Sequence, residues 1–227
     1  MHAIGAVIMA AGAGRRMGNV PKPLLRRDGE PLLLRQVRLA VAAGADYAVV
    51  VLGHHAERLA AALADAQSRN LAAWRSARVA WATNPDPDRG TGSSLRCGLA
   101  ALPPGLAAWL VLLGDQPLLE TEDVRTMLDA WNRRAASIEL VVPMHAGQPG
   151  HPVVFGRGLR GALLDDSGER GVREWRRAHP QRVAKMPVGH ARCTTDIDTP
   201  DDLDCINARY GVRLDWPDGH LRPQPAD

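Results

Sequence analysis

The chain has 227 residues, 45% of them hydrophobic and 23% charged, which describes one large or two small globular domains and excludes a disordered or fibrous protein. Its net charge of +3, with no run of five like charges, excludes a polybasic nucleic-acid surface; six Trp, two Tyr and one Phe are too few for a base-stacking sheet. Only two of the 28 basic residues are lysines, Lys22 and Lys185, so each lysine in this arginine-rich background carries unusual weight.

In chain order, short apolar runs alternate with longer helical patterns. Residues 3–9 are continuously apolar and stop at AAGAGRRMG. Residues 31–43 read as a helix ending at Gly44, 47–52 (YAVVVL) as a buried strand, and 55–67 as a helix with Leu59, Ala62 and Leu63 on one face. A short strand at 79–81 precedes a loop rich in Pro, Asp and Gly. A helix at 93–101, a strand at 109–113 (WLVLL), a helix at 121–134 opening on TEDV, and a strand at 138–143 follow. Apolar strands separated by helices predict an α/β fold: one Rossmann-like domain over 1–210, with a mostly parallel central sheet and helices on both faces. Beyond Met144 the pattern weakens into a small C-terminal, substrate-side extension. Loops and hairpin pieces on the sheet edge, short helices at 157–164 and 170–178, and a last helix from Pro200 to about Arg209 are expected. Residues 211–227 read as a flexible tail.

Cys97, Cys193 and Cys205 are odd in number and show no CxxC spacing, which favours a reducing compartment over a disulfide framework or zinc ribbon. The start, MHAIGAVIMAAGAGRR, lacks the positive segment of a signal peptide, and no stretch reaches about 18 apolar residues. A soluble cytoplasmic protein with neither a nucleic-acid nor a membrane partner is expected.

The chemistry concentrates in MAAGAGRRMGNVPK (9–22), directly after the first strand, where parallel sheets bind ligands. Glycines there let backbone N–H groups converge on an anion. A dinucleotide fingerprint fails, because Met17 stands where the third Gly belongs and Gly53-His54-His55 supplies no acid for a ribose. A Walker loop fails for want of Gly-Lys-Ser/Thr. What remains is a Gly-rich loop bearing Arg15, Arg16 and Lys22, suited to a triphosphate or else an ordinary turn with solvated arginines. Asp115, at the carboxyl end of WLVLL, sits where a Mg2+ ligand belongs, or serves as a turn residue. Asp196 and Asp198 alternate in DIDTP and face one side if extended, as metal or substrate contacts, unless Asp198 or Thr199 caps the following helix. Ser93 and Ser94 stand at an expected helix start, able to cap it or to hold base or phosphates. His151 lies in a rigid loop between Gly150 and Pro152.

These residues carry a family likeness. Residues 9–22 resemble the LAAGxSxRMGxxK signature of the molybdenum cofactor cytidylyltransferases and guanylyltransferases, to which sugar-phosphate and methylerythritol-phosphate transferases are more distantly related. GTGSSLRCGL (90–99) resembles that family's second nucleotide-binding segment, and LLGDQP (112–117) the segment bearing its metal-binding Asp. GQPGHPVVF (147–155), GERGVRE (168–174) and DIDTPDDL (196–203) resemble motifs of the molybdenum-cofactor branch. Gly14 stands where Ser is usual, and three residues separate Gly18 from Lys22 where two are common.

The resemblance implies a nucleotidyltransferase domain that joins CMP from CTP to the terminal phosphate of the molybdenum cofactor and releases pyrophosphate. It places Ala10, Ala11, Gly12, Ala13, Gly14, Arg15, Gly92, Ser93 and Ser94 on the nucleotide, and Arg16, Lys22 and Asp115 at the chemistry. It places Gly150, His151 and Pro152 on the acceptor, and Mg2+ (or Mn2+) on Asp115, Asp196 and Asp198. CTP is implied because Ala at position 11 accompanies CTP and a second Gly accompanies GTP. A molybdenum hydroxylase of the xanthine oxidase type, or its chaperone, is the implied downstream partner. The alternatives are a cytidylyltransferase acting on a sugar- or polyol-phosphate, and a non-enzymatic chaperone that binds the cofactor.

Overall fold

A computed structural model describes residues 3–165 and 171–220. The elements in order are β1 (Ile4–Ala10), β2 (Arg26–Arg27), β3 (Glu30–Pro31), α1 (Leu32–Ala42), β4 (Tyr47–Leu52), α2 (Ala56–Ser68), α3 (Ala72–Ser76) and β5 (Arg78–Thr83). They continue as α4 (Thr91–Ala101), β6 (Ala108–Leu113), α5 (Thr121–Asn132), β7 (Leu140–His145), β8 (Gln148–Pro149), β9 (Val153–Phe155) and α6 (Arg157–Asp165). The last are α7 (Val172–Ala178), β10 (Val183–Pro187), α8 (Pro200–Tyr210) and β11 (Leu214–Asp215).

The main sheet runs β10-β7-β9-β6-β1-β4-β5, with β8 paired to β7. β1 lies parallel between β4 and β6, and β4 is parallel to β5. This is the mostly parallel sheet that the continuous apolar runs predict. Alternate residues fill two layers, as strand geometry requires. Ala6, Ile8 and Ala10 of β1 join a core beneath α1, α2, α3 and α5, while Val7 joins a second core beneath α4, α6 and α7. Burying a Val, Leu or Ile on both faces in this way contributes about 1.5–3 kcal/mol per side chain.

Two sequence expectations are corrected. GHPVVF is not built onto the sheet edge: β9 is an internal strand, antiparallel to both β6 and β7. Its three residues are all buried, because a strand this short is stabilised by neighbours on both sides and carries no period of its own. The tail expected from Gly211 instead carries β11, which pairs with β2 in a three-stranded sheet beside β3. Leu214 there is 3% exposed and shares a third apolar cluster with Met17, Val20, Leu25, Ile197 and Leu203. That cluster ties the Gly-rich loop to the C-terminal segment. Residues 221–227 and the first three positions of GERGVRE lie outside the described residues. Among the described residues, no helix is long and apolar enough to cross a membrane.

Candidate active site

The carboxyl ends of β1, β4 and β6 converge on one cleft of about 440 Å³, walled by Ala11, Gly12, Ala13, Gly14 and Arg15 on one side and by Thr91, Ser94 and Asp115 on the other. Tight backbone geometry shapes the glycine-rich wall. Gly14 has φ +67°, and a Cβ there would lie 2.1 Å from the Val20 carbonyl oxygen. Its own carbonyl accepts the Met17 N–H at 2.9 Å and the Asn19 N–H at 3.0 Å. The departure from Ser therefore has a physical reason: this loop closes so tightly that only glycine fits. His55 pins the loop from below, with Nε2 at 3.0 Å from the Ala13 carbonyl oxygen. Since a carbonyl only accepts, the proton sits on Nε2.

The charged centre joins residues far apart in sequence. Lys22 Nζ lies 2.5 Å from Asp115 Oδ2 and 3.0 Å from Asp198 Oδ1, and Arg16 pairs with Asp198 Oδ2 at 2.9 Å. Lys22 and Asp115 keep only 15% and 22% of their side chains exposed. Burial opposes the Lys22 charge, but Asp115 and Asp198 outweigh it and hold the ammonium pKa above the ordinary lysine value. Burial likewise opposes the Asp198 charge, and Lys22 with Arg16 overcomes it, holding that carboxylate below its usual range. Asp196 keeps an open edge to solvent, yet desolvation by the surrounding protein and the nearby Asp115 charge push it up to about 6.

Backbone contacts fix these acids. Gly114 N–H donates to the Met9 carbonyl at 2.9 Å, Ile197 N–H donates to the Asp115 carbonyl at 3.1 Å, and Gln36 donates to the Gln116 carbonyl at 2.7 Å. Ile197 is buried between two accessible acids, so Asp196 and Asp198 share a side as their alternation requires. Capping falls to Thr199, whose Oγ1 accepts the Asp202 N–H at 3.2 Å. Asp198 is left for Lys22 and Arg16.

Other expected residues are placed differently. Ala10 is buried in the core beneath the sheet. Ser93 and Ser94 are not at the helix start, since α4 begins at Thr91. Ser93 Oγ donates to the Gly90 carbonyl at 2.9 Å, and Asn84 Nδ2 donates to both serine hydroxyls at 2.9 and 3.0 Å. Ser94 lines the cleft, whereas Gly92 is buried within the helix and Ser93 holds the preceding loop. Arg15 reaches across the cleft to Asp88 at 2.8 Å, and His54 Nε2 lies 3.2 Å from the same oxygen. Thr91, Asp88 and Asn84 went unread in the sequence. The break at Gly90, with φ +96°, was the available signal for an earlier helix start.

A second cavity of about 610 Å³ adjoins the first and shares Met9, Thr91 and Leu113 with it. Gly150 and His151 line it, while Pro152 faces a separate small void beside His190 and Cys193. A Cβ on Gly150 would lie 2.1 Å from the Cys193 carbonyl oxygen, which fixes the loop against the Cys193 segment. Burial and the Arg176 guanidinium hold the His151 imidazole down at about 4.

Among the described residues, no three His, Cys, Asp or Glu side chains are gathered to hold an ion unaided. The donor set fits Mg2+ or Mn2+ nonetheless. Such ions take one or two carboxylates and complete their shell with phosphate oxygens and water, and Asp115 and Asp198 already share one cation.

Comparison with known proteins gives a family. Residues 6–183 match the MobA-like NTP transferase domain. The bifunctional protein GlmU of Sorangium cellulosum is 35% identical over 185 residues, covering 81% of this chain and 36% of that protein. The chain thus spans about a third of the length of such curated relatives. Rv0371c from Mycobacterium tuberculosis H37Rv is 30% identical, with a TM-score of 0.72 over 91% of this chain and 98% of that one. Its complex with manganese gives 29% and 0.67, over 90% and 97%. Mth528, a nucleotidyl transferase from Methanothermobacter, shares the fold at 24% identity and a TM-score of 0.70, over 92% and 97%. The chain belongs to the MobA-like NTP transferase domain family.

Proposed function

We propose that the protein transfers CMP from CTP to the terminal phosphate of the molybdenum cofactor. The observation that carries nucleotidyl transfer is the meeting of a Gly-rich loop bearing Arg15, Arg16 and Lys22 with Asp115 and Asp198. A pure binding protein needs no such metal-and-triphosphate apparatus. The manganese complex of the similar Rv0371c supports a divalent cation. The molybdenum-cofactor acceptor is supported by the GQPGHPVVF loop beside the second cavity, and CTP by Ala11 on the cleft wall.

In this reading an oxygen of the acceptor phosphate attacks the α-phosphorus of CTP. The bond from that phosphorus to the β-phosphate oxygen breaks, and pyrophosphate leaves. Asp115 and Asp198 would hold a divalent cation such as Mg2+, which would supply charge neutralisation to the phosphate oxygens. Arg15, Arg16 and Lys22 supply fixed positive charge to the triphosphate, and the walls of the two adjoining cavities align the reactants. Ala11 sets pocket width near the base, a difference of about 1–3 kcal/mol between nucleotides.

The test is mass spectrometry of products from purified cofactor, Mg2+ and either CTP or GTP. A cytosine dinucleotide of the cofactor with pyrophosphate is expected, with greater GTP use by Ala11→Gly. Equal turnover of both nucleotides by the unmodified protein defeats the base assignment. Turnover of a sugar- or polyol-phosphate alone defeats the acceptor assignment.

A further inference from the structure

The second cavity carries a charge pattern that the glycine-rich cleft does not. Arg173, Arg176 and Arg177, all from α7, line it together with Gly150 and His151. Most arginines near the site are engaged: Arg15 with Asp88, Arg16 with Asp198, Arg27 and Arg35 with Glu120. Among the described residues, these three have no ion-pair partner. The one acid of this helix, Glu174, also lines the cavity and offsets part of the charge, with its Oε2 accepting the Gly171 N–H at 2.9 Å, so three guanidiniums face a single carboxylate. Three guanidiniums held side by side around an aqueous cavity repel one another, and Arg176, half-buried, sits beside a His151 that stays uncharged. A bound anion relieves that repulsion, and the planar fork of arginine matches phosphate oxygens two at a time.

We propose that Arg173, Arg176 and Arg177 form an anion clamp that grips the phosphate of the acceptor and so selects phosphate monoesters over neutral alcohols. This rests on the nucleotidyl-transfer reading, and it assigns the acceptor end of that site to named side chains. The clamp faces a cavity that shares Met9, Thr91 and Leu113 with the glycine-rich cleft. A phosphate held there is confined to the space next to the triphosphate, and the neutral imidazole of His151 accepts or donates a hydrogen bond without adding charge.

The test uses Arg173→Gln with Arg177→Gln, both exposed side chains whose loss leaves the core intact, and Arg176→Lys, which keeps the charge but not the fork. Two measurements are made: calorimetric titration with inorganic phosphate, and KM for acceptor and CTP separately. Phosphate also meets the glycine-rich loop, so the titration is repeated in an Arg16→Gln background. The double variant should lose tenfold or more in phosphate affinity in both backgrounds and raise acceptor KM at least tenfold, with CTP KM within twofold. Arg176→Lys should fall between. Unchanged phosphate affinity together with unchanged acceptor KM overturns the clamp. Should the unmodified chain turn over no acceptor while the α7 variant alone loses phosphate, the clamp stands as an anion site and the transfer reading falls.

Discussion

The Lys22 ammonium lies 2.5 Å from the Asp115 carboxylate across 93 positions of sequence, and the same nitrogen reaches Asp198 at 3.0 Å. The lysine thus sits between two carboxylates. Lys22→Gln should lose turnover at least a hundredfold. It should also lower Tm, because two partly buried carboxylates lose their counterion, and Mn2+ should restore Tm further in the variant than in the unmodified protein. Lys185→Ala, on the exposed edge strand β10, should be near neutral. Comparable activity losses in both lysine variants would show that Lys22 has no special place.

Asp115→Asn separates a metal ligand from a turn residue, since the amide keeps shape and loses charge. Folding and nucleotide binding through the glycine-rich loop should persist. Turnover should drop by about 3–4 kcal/mol of transition-state stabilisation, roughly a hundredfold to a thousandfold. A turn residue would instead cost about 1 kcal/mol of stability and leave turnover per folded molecule intact. Initial rate and Tm from one preparation decide it.

The parts of the fold legible in the sequence are those whose pattern is local. β1, β4 and β6 are read from continuous apolar runs because they lie inside the sheet with both faces covered. β9, β2, β3 and β11 have two or three residues each, too few for any period; β2 and β3 form a short hairpin, and β11 and β9 exist by pairing with strands elsewhere in the chain. The same holds at the site. Asp115 was visible from its place after an apolar strand, and Lys22 from its rarity. Their contact was not visible, because it depends on the Gly14 turn and on Ile197 of the DIDTP segment docking into the third apolar cluster. Asn84 gives no signal of its own: an Asn in a Pro- and Asp-rich loop is ordinary, and only the fold points it at Ser93 and Ser94.

Gly14→Ser, which brings back the residue usual in related loops, should be harmful here. A left-handed φ on a non-glycine residue costs about 1–3 kcal/mol, and the added Cβ meets the Val20 carbonyl oxygen. A Tm lower by about 4–8 °C is expected for a total near 2 kcal/mol. Gly12→Ala, where a Cβ has nothing within 4 Å, should melt normally and weaken CTP binding, because its methyl enters the cleft. Equal Tm values for the two variants would refute the tight-turn account of Gly14.

His151 makes stability depend on pH in a definite window. Its folded pKa is lowered from 6.5 to about 4, chiefly by burial and then by Arg176. As pH falls through 6.5 the unfolded chain takes up a proton that the folded chain refuses, so the unfolded state binds more protons and stability declines. The contribution is fully present above pH 6.5 and is progressively lost down to about pH 4, reaching at most about 3 kcal/mol from the size of the shift. His151→Asn removes the titrating group, so its denaturation free energy should fall less steeply between those pH values than that of the unmodified protein. Imidazole chemical shifts in the folded state should titrate near 4. A midpoint near 6.5, with parallel stability curves for the two proteins, would place His151 in open water and remove it from the wall of the second cavity.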